Sequence, residues 1–158
     1  MNQRVKQENR SQFVVRSGPW QSFDTICAMH KLRISSSKRE EMIDITAEVA
    51  EIVSNSDEKG GICVIFSQHT TCGVTVNENA DPDVQTDMLG FLKKRIPQFE
   101  PDFRHGEHNS DAHIKTSIIG SSAAVPFESK KLLLGRWQAV YLCEFDGPRE
   151  RIIVVSIK

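Results

Sequence analysis

Gln138-Ala139-Val140-Tyr141-Leu142-Cys143-Glu144-Phe145, then Asp146-Gly147-Pro148-Arg149, then Ile152-Ile153-Val154-Val155-Ser156-Ile157 is the stretch on which the fold reading turns. Two apolar runs, rich in Val and Ile and with Tyr141 and Phe145 in the first, flank four turn-forming residues. β-branched and aromatic side chains suit a pleated surface, so both runs read as strands, and Asp, Gly and Pro between them predict a short antiparallel connection. The sheet is therefore at least partly antiparallel.

Working outward, Phe13–Val15, Ile26–Ile34, Ile62–Phe66, Val74–Val76, Ala123–Phe127 and Lys131–Leu134 also read as strands. Helices are fewer. One is expected from Thr46, with its hydroxyl as cap, Glu48 at the positive end of the dipole, and Val49, Ile52 and Val53 buried. A second has Asp81 as cap, Pro82 at the first helical position, and Lys93-Lys94-Arg95 at its end. Its inward face is expected to carry Val84, Met88, Phe91 and Leu92. A third, starting after Asp111 and stopping at Gly120, is expected to turn Ile114 and Ile118 inward.

The chain has 158 residues, 39% hydrophobic and 26% charged, which is the size and composition of a single globular domain. We assign residues 20–158 to that domain and read 1–19 as a flexible tail. The formal charge of −1 removes the electrostatic case for nucleic acid as a partner, and no run is long and apolar enough to span a membrane. Four cysteines, at 27, 63, 72 and 143, form no C-x-x-C pair; Cys63 and Cys143 lie in apolar runs and read as buried thiols. With no apolar leader at the N-terminus, the expectation is a reducing, cytoplasmic setting.

The densest chemical signal is histidine. His105, His108 and His113 lie close together within a segment, Glu78 to Asp111, that holds eight acids against four bases. A cation is favoured there, and neutral imidazoles are suitable first-row metal ligands that leave a coordination position open. A polar loop also carries histidines through solvation alone, so spacing does not separate the two readings. His69 follows the strand Ile62–Phe66, and Asn77 and Glu78 share its mouth if the next strand returns as a hairpin. Thr70 and Thr71 offer hydroxyls to an oxyanion, or are simply β-prone residues. Trp137 either plugs the core or stacks on a substrate.

Four runs, in order, carry a resemblance: Phe66-Ser67-Gln68-His69-Thr70-Thr71; Asn77-Glu78-Asn79-Ala80-Asp81-Pro82; His105 followed by Asp111-Ala112-His113-Ile114-Lys115; and Leu134-Gly135-Arg136-Trp137-Gln138. Over about residues 24–158 the chain resembles the YjbQ-like proteins, the secondary thiamine-phosphate synthase family. The resemblance implies a single-domain α+β fold, with mixed, largely antiparallel sheets packed with two or three helices. It also implies a homotrimer with sites near the subunit boundaries, and a metal or anion site at His69, His105 and His113. The implied reaction joins an aminopyrimidine diphosphate to a thiazole phosphate with loss of pyrophosphate.

In that reading His69, Asn77 and Glu78 are catalytic, and Thr70, Thr71, Lys115 and Trp137 bind the phosphorylated substrate. The divalent cofactor is Zn²⁺, which imidazoles favour, or Mg²⁺, which diphosphates usually employ. Two alternatives stand beside it: a metal-dependent phosphate-ester hydrolase with Glu78 as general base, and a trimeric metal- or metabolite-binding protein without catalysis. The chain departs from the family pattern at Arg136, where threonine is usual, and in lacking the glycine that the family usually has before the strand that here begins Ser129-Lys130-Lys131.

Overall fold

The computed structural model describes residues 28–158 together with the two-residue strand β1 (Lys6–Gln7). The rest of the expected tail at 1–19, the expected strand Phe13–Val15 and Cys27 lie outside the described residues. The elements follow as β2 (Ala28–Ser35), β3 (Glu41–Asp44), α1 (Thr46–Ser54), β4 (Gly60–Ser67), β5 (Cys72–Glu78), α2 (Pro82–Arg95), α3 (Ser110–Ile119), β6 (Ser122–Glu128), β7 (Lys131–Leu132), β8 (Gln138–Glu144) and β9 (Glu150–Ile157).

The strands form two sheets, one of six in the order β1-β2-β9-β4-β6-β7 and one of three in the order β3-β8-β5. Every described pairing is antiparallel, in keeping with the largely antiparallel sheets expected. Alternation explains how the sheets meet. In β9 Ile153, Val155 and Ile157 are buried, and in β4 Cys63 and Ile65 point the same way. They pack against Ile43, Val74, Val140 and Leu142 of the smaller sheet, with Val49, Ile52 and Val53 of α1 filling the flank. Each such aliphatic side chain contributes about 1.5–3 kcal/mol on burial.

The opposite face of the small sheet carries Ala139, Tyr141, Cys143 and Phe145, covered by Ala112 of α3 and by Leu89 and Leu92 of α2. The order of layers is therefore helices, three strands, core, six strands. No helix among the described residues is long and apolar enough to cross a membrane.

Four local expectations are corrected. The turn at Asp146–Arg149 does not join a hairpin: β8 belongs to the small sheet and β9 to the large one. The chain crosses at Gly147, where a side-chain carbon would collide with the Lys38 carbonyl. Thr46 does not cap α1; its Oγ1 accepts the Val140 N–H at 2.8 Å, tying the helix to β8, while Asp44 Oδ1 accepts the Thr46 N–H at 2.9 Å. In α2 the cap at Asp81 is as expected, its carboxylate accepting the Asp83 N–H, but Phe91 is 61% exposed because Leu89 and Leu92 take the inner face. In α3 the faces are reversed: Asp111 and Lys115 are buried, whereas Ile114 and Ile118 are 38% and 62% exposed.

Candidate functional site

His105 and His113 come together. α3 begins at Asn109, whose carbonyl accepts the N–H groups of Ala112 and His113 and so fixes His113 in the first turn. The preceding segment turns tightly, with the His108 N–H donating to the His105 carbonyl at 3.2 Å and His108 itself in the left-handed region at φ 56°. The His105 and His113 rings meet edge to face, with centroids 5.4 Å apart. His108 turns instead toward Phe99. As a donor set the pair fits two ligands of a zinc-type centre, since imidazole nitrogen suits that ion. Within one chain the set stops there: among the described residues no group of three His, Cys, Asp or Glu stands close enough to hold a metal.

His69, the expected third ligand, is engaged elsewhere. It lies between β4 and β5, where Ser67 Oγ accepts its N–H at 3.3 Å. Its ring Nε2 accepts the Ile152 N–H of β9 at 2.8 Å. A neutral imidazole using Nε2 as acceptor holds its proton on Nδ1, so His69 presents a donor rather than a ligand lone pair. Desolvation, followed by the nearby Arg151 charge, lowers the His69 pKa below 6.5 and favours that neutral form. Where a folded histidine pKa lies below the unfolded one, the unfolded chain binds the proton first. Stability is therefore complete above about pH 6.5 and declines as pH falls toward the folded value. We expect His69→Gln to flatten that decline in urea titrations between pH 7 and 5 (on the order of the window set by the ordinary histidine pKa); parallel wild-type and variant curves would contradict the assignment.

Behind His69 is a polar group the sequence reading passed over. Glu144, fully buried, takes Arg151 Nε at 2.7 Å, Ser36 Oγ at 3.0 Å and the N–H groups of Phe145 and Asp146 at 3.0 and 2.9 Å. Arg151 Nη2 also donates to Thr71 Oγ1 at 3.0 Å. Thr71 is therefore buried and structurally committed rather than substrate-binding, while Thr70 is exposed at the rim. The available signal was a lone acid ending an apolar run with an arginine seven residues on. Burial pushes the Cys63 thiol up to about 11 and the Cys72 and Cys143 thiols up to about 12, which favours their protonated, weakly nucleophilic form.

Lys115 is not free to bind substrate either. Its ammonium, with no exposed side-chain surface, donates to Glu40 Oε1 at 2.7 Å and Asp111 Oδ2 at 2.8 Å. Arg39 completes the network with a two-pronged contact on Asp111, at 2.9 and 3.0 Å.

Asn77 and Glu78 do not share a mouth with His69, because β4 and β5 enter different sheets instead of forming a hairpin. Glu78 stands six residues along β5 from Cys72, or about 20 Å at strand rise. There Asn77 Nδ2 donates to the Met88 sulfur at 2.7 Å and Asn77 Oδ1 accepts the Glu78 N–H at 2.8 Å. Tyr141 OH lies 3.2 Å from the Glu78 carbonyl and 2.5 Å from Asn79 Oδ1. The Asn79 N–H donates to the Trp137 carbonyl at 2.7 Å, placing the Leu134–Gln138 turn at the same end. Trp137 is 60% exposed, so it does not plug the core. One chain thus holds two groups of site residues at opposite ends of β5, the His69 rim and the Asn77, Glu78 and Trp137 end.

Residues 30–158 match the model of the family described as UPF0047 protein YjbQ-like. UPF0047 protein MJ1081 of Methanocaldococcus jannaschii is 47% identical over 129 residues, covering 82% of this chain and 93% of that one. UPF0047 protein YugU of Bacillus subtilis is 45% identical, with 80% and 96% covered. Among solved structures, a YjbQ/UPF0047 family protein from Clostridium acetobutylicum superposes with a TM-score of 0.79 at 46% identity, covering 81% of this chain and 98% of its own. A YjbQ-like protein of unknown function from Sulfolobus solfataricus gives 0.78 at 33% identity, covering 83% and 96%. The α+β architecture and the family-model match agree, and the chain belongs to the YjbQ-like UPF0047 family.

Proposed function

We propose that the protein is a transferase of the thiamine-phosphate synthase type, joining an aminopyrimidine diphosphate to a thiazole phosphate at a site completed between copies of a homotrimer. The observation that carries this reading is the exposed indole of Trp137, held by the Asn79–Trp137 backbone contact beside Glu78. An indole face suits a planar heterocycle. The His69 rim supplies the complement: a neutral N–H donor and the Thr70 hydroxyl, backed by the Arg151 guanidinium, suit a phosphate oxygen. A substrate with both a ring and a phosphate needs both ends.

About 20 Å of β5 separates those ends in one chain, so a neighbouring copy brings them together. The outer face of the large sheet supports such assembly: Ile62, Val64 and Phe66 alternate along β4 and are 51%, 37% and 42% exposed. Contiguous apolar surface of this kind marks contact with another chain. His105 and His113 would hold a divalent ion of zinc character, whose charge offsets that of a departing diphosphate. In the same reading Glu78 and Asn77 orient the heterocycle, and the stacked indole keeps water from that side of the ring.

The test uses tag-free protein, both substrates and chromatographic detection of thiamine phosphate. Expected are product formation, a mass of three chains by light scattering, zinc that is lost in His113→Ala, and kcat/KM lowered ~10²-fold in His69→Ala, the usual scale for one preorganised donor. Unchanged turnover in His69→Ala overturns the reading. Zinc-dependent hydrolysis of simple phosphate esters without thiamine phosphate would identify a hydrolase instead, and bound metal with neither reaction a binding protein.

A further inference from the structure

We propose that the cleft between the β2–β3 connection and α2 binds the phosphate or diphosphate group of a small molecule. It has a volume of about 400 Å³, with Lys38, Arg39 and Glu40 on one wall and Leu89, Gly90 and Lys93 of α2 on the other. The cleft lining carries three cations and one anion, a balance of 3 − 1 = +2, on a chain of net charge −1. Behind that lining the buried charges of Asp111 and Lys115 cancel. Neither the Lys38 nor the Lys93 ammonium has an ion-pair partner among the described residues, whereas Arg39 is fixed in place by Asp111 and Glu40. One unpaired ammonium on each wall among the described residues, with the fixed Arg39 guanidinium next to Lys38, suits a doubly charged oxyanion.

Gly90 is the independent observation. It sits in the interior of α2, where glycine costs roughly 1 kcal/mol relative to alanine. No packing demands it: a side-chain carbon built there meets no atom within 4 Å. The glycine instead keeps the cleft wall bare, so that a ligand can approach the helix backbone between Lys38 and Lys93. Gln98, also on the lining, donates through Nε2 to the His108 carbonyl at 3.3 Å, which joins the cleft to the loop carrying His105.

The test is calorimetric titration of the full chain with sodium pyrophosphate and, separately, inorganic phosphate. In His69→Ala protein, where the rim donor is removed, saturable binding with one site per chain is expected, tighter at low salt because the lysines are exposed. Lys38→Gln/Lys93→Gln should weaken it at least tenfold. Gly90→Leu should abolish it without lowering the melting temperature, while Gly90→Ala weakens it and melts higher. Binding here does not depend on the synthase reading, so it persists in His69→Ala protein even if that reading fails. Equal affinity in the double lysine variant overturns the proposal. So does a Gly90→Leu variant that keeps pyrophosphate affinity but loses its oligomeric mass, for then the bare helix accommodates another copy of the chain.

Discussion

Glu144→Ala should be the most damaging single substitution in the protein, lowering the free energy of unfolding by ~3–5 kcal/mol, the range for breaking a buried ion pair from one side. The carboxylate is wholly shielded from water and accepts bonds from Arg151, Ser36 and two backbone amides. Without it the Arg151 guanidinium, itself only 4% exposed, keeps its charge with Thr71 as its remaining described side-chain partner. The cost is mostly that stranded charge, so Glu144→Ala/Arg151→Met should be less destabilising than Glu144→Ala alone. Urea unfolding of the three proteins checks this; a single variant within about 1 kcal/mol of wild type would show that the pair does not hold the sheets together.

Asp111→Ala should come next, also at about 3–5 kcal/mol, because it leaves Lys115 buried with Glu40 alone and releases the fork of Arg39. This prediction has a pH signature. Desolvation pushes the Asp111 carboxyl up, but the hydrogen bonds from Arg39 and Lys115 outweigh it and hold the group below the usual carboxylate range. A depressed carboxylate contributes stability that is fully present above the unfolded value, near pH 4, and is lost as pH falls through the folded one. The gap between wild type and Asp111→Asn should therefore be widest above about pH 4 and shrink in stronger acid. A gap constant down to acid unfolding would mean that the carboxylate's charge is not what stabilises the network.

Local chemistry was legible in the sequence and distant partnership was not. The start of α2 follows from Asp81 and Pro82, which act on the next few amides whatever the rest of the chain does. The buried stripe of α1 follows equally, from the spacing of Val49, Ile52 and Val53. β3 escaped because Glu41-Met42-Ile43-Asp44 has charge at both ends and only Ile43 buried. The reversal of α3 has a nonlocal cause: Asp111 and Lys115 turn inward because Arg39 and Glu40, more than seventy positions away, neutralise them. The same limit governed the site. His105 and His113 share a loop and a helix start, so their convergence was readable, whereas the placing of His69, Glu78 and Asn77 depended on whether β4 and β5 pair. They lie in different sheets, and no short-range signal distinguishes a hairpin from a crossing at that loop.

The position of β9 bears on how the molecule is made. It lies between β2 and β4, yet its first residue, Glu150, leaves the ribosome 83 residues after Ser67 ends β4 (150 − 67). At ~5–20 residues per second the two earlier strands wait roughly 4–17 seconds for their shared neighbour, with hydrogen-bonding edges open. The nascent chain thus passes through an interval in which its largest sheet exists only as separate halves, and a chaperone that shields strand edges has most to do at that moment.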